Sequence, residues 1–322
     1  MADKRAAVIG GGHGTSVVLS ALSGQGYKLS AILSMADDGG STGKLRDEMG
    51  ASAVGDIRQC LVALSSNPEA AELFSYRFEA DNLKGHSLGN LILSAGELEN
   101  GDIEHGIDIA KRLLGVDEDI LPSTKDKCGL VLDVAGKHVR GVYNIANTDF
   151  EGNKPELALE PPAMLADSAR EAIAGADAVI IAPGNFYCSI IPALLVNGMA
   201  EALNTTSAKV IYLCNLVNRK GHTWGFRPGD YIAEARRLAG DIGIDAVIYN
   251  TAPIAGECLR EGEEPVGPDS PEGKNYKLVG FDIADAEKVE SNANDKIAAV
   301  RSLVRHDKEK LAVALNDTIG GL

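Results

Sequence analysis

Residues 35–46 read MADDGGSTGKLR. Two adjacent carboxylates, Asp37 and Asp38, run into three glycines, two hydroxyls and two cations. The mixture suits an anion. Glycines 39, 40 and 43 let the main chain come close and offer N–H groups, Ser41 and Thr42 add donors, and Lys44 and Arg46 add positive charge. The run Gly39 to Lys44 is one residue short of a P-loop, and Leu45 stands where that motif needs a metal-holding hydroxyl, which argues against a Walker-type NTPase. A carboxylate beside phosphates makes Mg²⁺ a candidate, because Mg²⁺ takes one or two carboxylates together with phosphate oxygens. Neighbouring side chains of an extended chain point apart, so one of Asp37 and Asp38 is expected to face the ligand. The alternative is that one Asp caps a helix and the other is solvated.

Further groups belong to the same chemistry. Gly10-Gly11-Gly12-His13-Gly14-Thr15-Ser16 follows a short apolar strand, yet Thr15 and Val17 stand where a dinucleotide fingerprint demands glycine. A nucleotide ligand other than NAD is therefore expected, with a glycine turn that serves only strand–helix packing as the alternative. Pro183-Gly184-Asn185 and Asn215 end two later strands. In GHSLGN, His86 and Asn90 fall four residues apart and are expected on one helical face, with His86 a candidate catalytic group. Asp56 and Arg58 open the helix of VGDIRQC, and His13, His105 and His138 read as structural. No Ser–His–Asp or Cys–His arrangement can be argued, so hydrolysis through a covalent intermediate is unsupported.

These residues need strands to carry them. RAAVIGGGHGTSVVLSALSG and KLSAILSMADD form a βαβ unit, which favours a parallel sheet. GDIRQCLVALSS, PEAAELFSYRF, GHSLGNLILSAGEL and DIEHGIDIAKRLLG have helical spacing. CGLVLDVAGKHVRGVYNI reads as a ribbon turned at AGKH, and PELALEPP as a further extended piece. Strands at ADAVIIAPG, AKVIYLCNL and DAVIYNT alternate with helices at SIIPALLVNGMAEALNTT and GDYIAEARRLAGDIG, and a helix or two close the chain. The predicted architecture is α/β, a Rossmann-like, doubly wound, mostly parallel sheet. Residues from roughly 56 to 165 form a helical and β-ribbon insertion within one domain spanning 1–322. Ligands of such sheets bind where the carboxyl ends of the strands meet a topological switch point, so the four loops are expected to converge on one crevice.

Composition narrows the partners. The 322 residues are 45% hydrophobic but only 5% aromatic, which suits close helix-on-sheet packing. With 31 basic against 46 acidic residues, the net charge of −15 disfavours nucleic acid and anionic membrane. Five scattered cysteines without ligand spacing fit reduced thiols, and no apolar run approaches the roughly 20 residues of a membrane span. The N-terminus enters a strand at once, so a cytoplasmic protein is expected.

GGGHGTS, ADDGGSTGKLR, GDIRQCLVALS, YRF, GHSLGNLIL, APGNFYCSIIPALLV, VIYLCN and RHDKEKLA occur in that order. Together they resemble the gluconeogenesis factor family, the bacterial branch of the superfamily that contains 2-phospho-L-lactate transferase. The resemblance runs from about residue 6 to about residue 315. It implies a Rossmann-like fold with a nucleotide crevice. The transferase branch moves a phospholactyl group from a guanosine diphosphate carrier to a deazaflavin alcohol with Mg²⁺. The gluconeogenesis-factor branch is associated with UDP-sugars, notably UDP-N-acetylglucosamine, with growth on gluconeogenic carbon sources and with cell shape. Carried over by motif, Gly12, Gly14, Thr15, Gly39, Gly40 and Ser41 would hold the nucleotide, and Gly184, Asn185 and Ser189 the phosphate or sugar. Arg305 would meet the ligand's charged end, and a homo-oligomer is expected. His13, Thr15, Asn185, Cys188 and the stretch NRKGHTWGF (218–226) depart from the family pattern, which leaves the second half of the ligand open.

Overall fold

The protein is described here by a computed structural model that covers residues 4–37, 43, 50–80, 83–285 and 302–322. The first half supplies β1 (Lys4–Gly10), α1 (Gly12–Leu22), β2 (Tyr27–Leu33), α2 (Gly55–Leu64), α3 (Pro68–Ser75), α4 (Leu88–Asn100) and α5 (Ile103–Leu114). Next come β3 (Asp119–Pro122), β4 (Gly129–Val134), β5 (Lys137–Arg140), α6 (Val142–Ala146), β6 (Glu156–Glu160) and α7 (Asp167–Ala174). The second half contains β7 (Ala178–Ile181), a π-turn (Phe186–Ile190), α8 (Ile191–Leu194), α9 (Met199–Thr205), β8 (Lys209–Leu213) and β9 (Val217–Arg219). It closes with α10 (Pro228–Ala239), β10 (Ala246–Asn250), β11 (Glu263–Pro265), β12 (Lys277–Phe281) and α11 (Lys308–Gly321).

Seven strands form one sheet in the order β12-β10-β8-β7-β1-β2-β3, and every neighbouring pair is parallel. The chain winds outward from β1 to β3, returns to the middle at β7, and winds outward again to β12. The switch point therefore lies between β1 and β7, as a doubly wound sheet requires. Alternate residues of the central strands bury on opposite faces. Ala7, Ile9, Val179 and Ile181 join one core, with Leu132 of β4 and Leu159 of β6. Ala6, Val8, Ala178 and Ile180 join the other, with Leu19 of α1, Leu61 of α2 and Leu315 of α11. Burial on both faces is why these strands read as continuous apolar runs.

The expected β-ribbon is present as a three-stranded antiparallel sheet, β5-β4-β6. It turns through Ala135 and Gly136, both at positive φ (50° and 76°), where Gly136 fits without steric cost. Three sequence expectations need correction. The ribbon stops at Arg140, and VYNI is helix α6 instead. The helix expected over 189–206 is broken: the π-turn opens it, and Gly198 at φ 93° separates α8 from α9. β3 and β12 were not anticipated, because these two sheet-edge strands are only partly buried and lack a clear apolar run. β3 falls within 56–165 yet pairs with β2, so that stretch is stitched into the main sheet.

Two glycines set how closely the layers approach. A Cβ at Gly14 would overlap the Pro183 carbonyl oxygen after β7, and one at Gly12 would press on the Asp56 main chain, with Cα at 2.9 Å. Gly14→Ala is expected to lower stability by about 3 kcal/mol or more through overpacking against rigid backbone. Gly256→Ala, which meets nothing within 4 Å, should stay within about 1 kcal/mol. Urea unfolding midpoints of the two variants check the contrast.

Candidate functional site

The loop leaving β1 becomes α1 without a side-chain cap. Gly11 is the N-cap in extended conformation, and the first turn carries no acidic residue. Gly11, Gly12, His13 and Gly14 line a cavity at the carboxyl end of the sheet. The early N–H groups of a helix have no intrahelical partner, and the helix dipole adds partial positive charge there, so this wall favours an anion. β2 ends at Leu33, short of the acid pair. Ser34, Met35 and Ala36 continue buried, and Asp37 then reaches the cavity. Asp56, in the first turn of α2, also lines it, and its Oδ2 lies 3.2 Å from where a Gly11 Cβ would stand.

The loops after β7 and β8 are tied to each other. Asn215 Nδ2 donates to the Gly184 carbonyl at 2.8 Å, and its Oδ1 accepts from the Gly184 N–H at 3.2 Å. Asn185 caps the π-turn by accepting from the Cys188 N–H through Oδ1. That wide turn carries Tyr187 and Ser189 on the cavity wall. The Tyr187 hydroxyl donates to Glu234 of α10 at 3.1 Å. Glu234 in turn accepts from Arg237, which also donates to Glu156 of β6 at 2.7 Å. The wall is thereby braced against the second sheet.

Three segments enclose the remaining side: α6, the antiparallel β9–β11 ribbon, and residues 302–306. They bring Arg219 and Arg305 to the cavity, with Glu263 between the ribbon and the last segment. Glu263 accepts from the Ser302 hydroxyl at 3.2 Å. His222 stacks on Phe150 with ring centres 4.4 Å apart, and its Nε2 lies 2.8 Å from the Thr148 carbonyl oxygen, which fixes Nε2 as a donor. His306 also lines the cavity, and its Nε2 is buried with no hydrogen-bond partner among the described residues. Burial pushes the His222 imidazole below its usual range and the His306 imidazole down to about 4. The enclosed volume is about 560 Å³, within the usual range for small-ligand sites.

Of the sequence-predicted residues, Gly11, Gly12, Gly14, Asp37, Gly184, Asn185, Ser189, Asn215 and Arg305 meet at this one cavity. Asp38, Gly39, Gly40, Ser41 and Thr42 lie outside the described residues, and Gly43 is not part of the described lining. Thr15 is fully buried, and its hydroxyl packs under Gly10 instead of facing the cavity. His86 precedes α4, whose N-cap is Ser87, so it does not share a helical face with Asn90. Both are buried outside the described lining, and Asn90 accepts from the Arg58 guanidinium at 3.0 Å. The helix was predicted to begin one turn too early because GHS holds no apolar residue to mark the boundary. Among the described residues no three His, Cys, Asp or Glu side chains gather as a metal cage.

The sequence reading missed His306, the neighbour of Arg305 in RHD, and set His13 aside as structural although it lines the cavity. It placed Asp56 and Arg219 near the crevice without assigning them a role. Tyr143 of α6, 68% exposed, had no sequence signal.

A doubly wound sheet with an anion-favouring helix start, two arginines and three carboxylates lining a cavity at its switch point defines an α/β protein with a ligand crevice. A profile described as 2-phospho-L-lactate transferase CofD matches residues 6–293. The Thermotoga maritima protein named "Putative gluconeogenesis factor" is 36% identical, across 94% of this chain and 96% of its own. The Bacillus subtilis strain 168 protein named gluconeogenesis factor is 33% identical, across 97% of each. The crystal structure of a UPF0052 family member from Bacillus halodurans superposes with a TM-score of 0.86 at 31% identity, over 98% of this chain and 99% of that one. The chain belongs to the 2-phospho-L-lactate transferase CofD family, on the side of the gluconeogenesis factors. No helix among the described residues is long and apolar enough to cross a membrane.

The half-buried cavity histidines give the site a pH signature. Below about pH 6.5, the unfolded chain takes up protons that folded His306 refuses until pH nears about 4. Its neutral form therefore supports the fold fully above pH 6.5, and that contribution falls as pH drops. Between pH 7 and pH 4.5 the protein should lose roughly 2–3 kcal/mol more stability than a His306→Gln variant. Urea unfolding at the two pH values checks this, and the carboxylates common to both proteins cancel.

Proposed function

We propose that the cavity binds a nucleoside diphosphate or nucleotide sugar, with UDP-N-acetylglucosamine and GDP as the leading candidates, and that the chain acts in regulating carbon and cell-wall metabolism. The observation that carries this reading is the position of the α1 start at the switch point, facing the same space as Arg219 and Arg305. In a chain of net charge −15, these are the features of the described lining suited to a diphosphate. The remaining lining, from Val142 and Tyr143 to Phe186 and His222, offers an apolar and aromatic wall for a sugar or base. Gly12 and Gly14 are already committed to backbone packing, so they shape the site as well as line it. That copies of the chain associate as a homo-oligomer is a separate proposal.

A second reading is a transferase acting on a nucleoside-diphosphate-linked donor, and Asp37 and Asp56 favour it. A pair of carboxylates suits Mg²⁺, which fills the rest of its shell from phosphate and water rather than from a protein cage. When bound, Mg²⁺ would stabilise charge on the transferring phosphoryl oxygens. Asp37 and Asp56 would hold it, Arg305 would take the ligand's negative end, and the wall around Tyr143 would seat the accepting alcohol.

Calorimetric titration of the full chain with UDP-N-acetylglucosamine, UDP, GDP and NAD tests the first reading. Binding of at least one of the first three is expected, and Arg305→Met should weaken it by about 10-fold or more, the worth of a charged hydrogen bond. Silence with all three would overturn it. For the second reading, Asp56→Asn should remove most of any gain in affinity from added Mg²⁺; an unchanged gain refutes the metal role.

A further inference from the structure

We propose that Arg219 is a specificity-determining residue of this cavity and selects a nucleotide-linked sugar acid. Its guanidinium takes the carboxylate of the sugar, leaving the diphosphate to the α1 start and Arg305. The inference rests on the nucleotide reading above and names the second half of its ligand.

The direction of the side chain follows from the ribbon. In the antiparallel β9–β11 pair, Arg219 stands opposite Glu263, Asn218 opposite Glu264 and Val217 opposite Pro265. Directly opposed residues of such a pair project to one face, and neighbours along each strand to opposite faces. Asn218 donates to Glu264 at 3.1 Å, and the Tyr231 hydroxyl donates to Asn218 at 2.8 Å, so that face turns toward α10. Val217, Arg219 and Glu263 belong to the other face, and all three line the cavity. Arg219 is only half-buried. The turn after it holds it in place. The Arg219 N–H donates to the Thr223 hydroxyl at 3.0 Å, and its carbonyl accepts from the His222 and Thr223 N–H groups. His222 fastens this turn to Thr148 and Phe150, and the Phe150 N–H donates to the Gly221 carbonyl at 3.0 Å.

Opposite charges that face each other across a ribbon ordinarily pair. Here they do not. Glu263 turns Oε2 to the Arg260 N–H at 3.0 Å and to the Ser302 hydroxyl at 3.2 Å. Among the described residues the Arg219 guanidinium forms no ion pair. Arg305 differs, because it donates to the Ser302 and Val304 carbonyls of its own segment. A guanidinium carries a planar fork of donors that matches a carboxylate in two parallel bonds. Position separates Arg219 from the α1 start. That start follows β1, Arg219 lies beyond β8, and β7 stands between the two strands. Two strand spacings amount to roughly 10 Å. Glu263 narrows the kind of anion. A further phosphate brings charge without donors and meets repulsion from Glu263. A sugar acid brings a carboxylate for Arg219 and hydroxyls that donate to Glu263.

The test titrates the full chain calorimetrically with UDP-glucose and UDP-glucuronate, which differ in carrying a hydroxymethyl or a carboxylate on the sugar. GDP-mannose and GDP-mannuronate form the matched pair if guanine is the base held. The acid is expected to bind about 10-fold or more tightly than its neutral twin, the worth of a charged hydrogen bond. Arg219→Gln should bring that ratio close to one. Arg219→Lys, which keeps the charge without the fork, should retain part of it. In wild-type protein labelled with ¹⁵N-arginine, the Arg219 Nε–H resonance should shift downfield with the acid and not with the neutral sugar. That measurement decides the matter even if a variant does not fold. Equal binding of the two sugars by wild type, a ratio that Arg219→Gln leaves intact, or a resonance that stays still overturns the inference and leaves the nucleotide reading standing. So does a gain of UTP over UDP that Arg219→Gln removes while the acid is not preferred. If wild type binds none of these ligands, nor GDP or UDP-N-acetylglucosamine, the nucleotide reading itself has failed.

Discussion

The contact between the start of α1 and the Pro183 carbonyl, made across the missing side chain of Gly14, governs the rest of the site. A parallel sheet wound in two directions leaves a gap where its halves separate, but topology alone does not set the width of that gap. Here main chain meets main chain: Gly14 against Pro183, and Gly12 against the backbone of Asp56. The two contacts fix α1, the loop after β7 and the start of α2 relative to one another. Asp56, Ser189 and the first turn of α1 share one cavity as a consequence. Backbone does not yield as a flexible side chain does, so the arrangement is stiff before any ligand arrives.

The other walls depend on polar ties. Asn215 grips both polar groups of the Gly184 peptide, and Asn185 closes the π-turn. Tyr187 reaches through Glu234 and Arg237 to Glu156, which links the cavity to the β5-β4-β6 sheet. Tyr187 and Glu234 are the buried members, so removing either would strand the polar group of the other. The ribbon of β9 and β11 joins residues 302–306 through Glu263 and Ser302. Chemistry from the C-terminal part of the chain is thus delivered to a site founded on its first fifteen residues.

Charge is divided within this space. The cations, Arg219 and Arg305, and the carboxylates Asp37, Asp56 and Glu263 all line it, while desolvation of the half-buried His306 ring favours its neutral form. A uniformly basic pocket would suit any polyanion. A mixed one, with an aromatic wall, fits the proposed nucleotide-linked ligand, which pairs phosphate with a flat or apolar face.

Much of this was legible in residue order. The βαβ start, the buried central strands and the loop glycines carry local signals, because an apolar run ending in glycine leaves a chain few other structures. The edge strands β3 and β12 escaped notice since they bury too little to impose a pattern. His86 was drawn to the site by spacing alone, and the true N-cap at Ser87 removed that argument. Thr15 was read as a ligand contact because it follows the glycines, whereas its hydroxyl turns under Gly10. Sequence by itself determined the sheet class, the loops that end its strands and the family, since these follow from hydrophobic pattern and nearby residues. Only the tertiary structure decided that Arg219, His222 and His306 join Asp37 and Asp56, residues from distant parts of the chain. Their meeting depends on packing between layers and on buried hydrogen bonds, which no local pattern encodes.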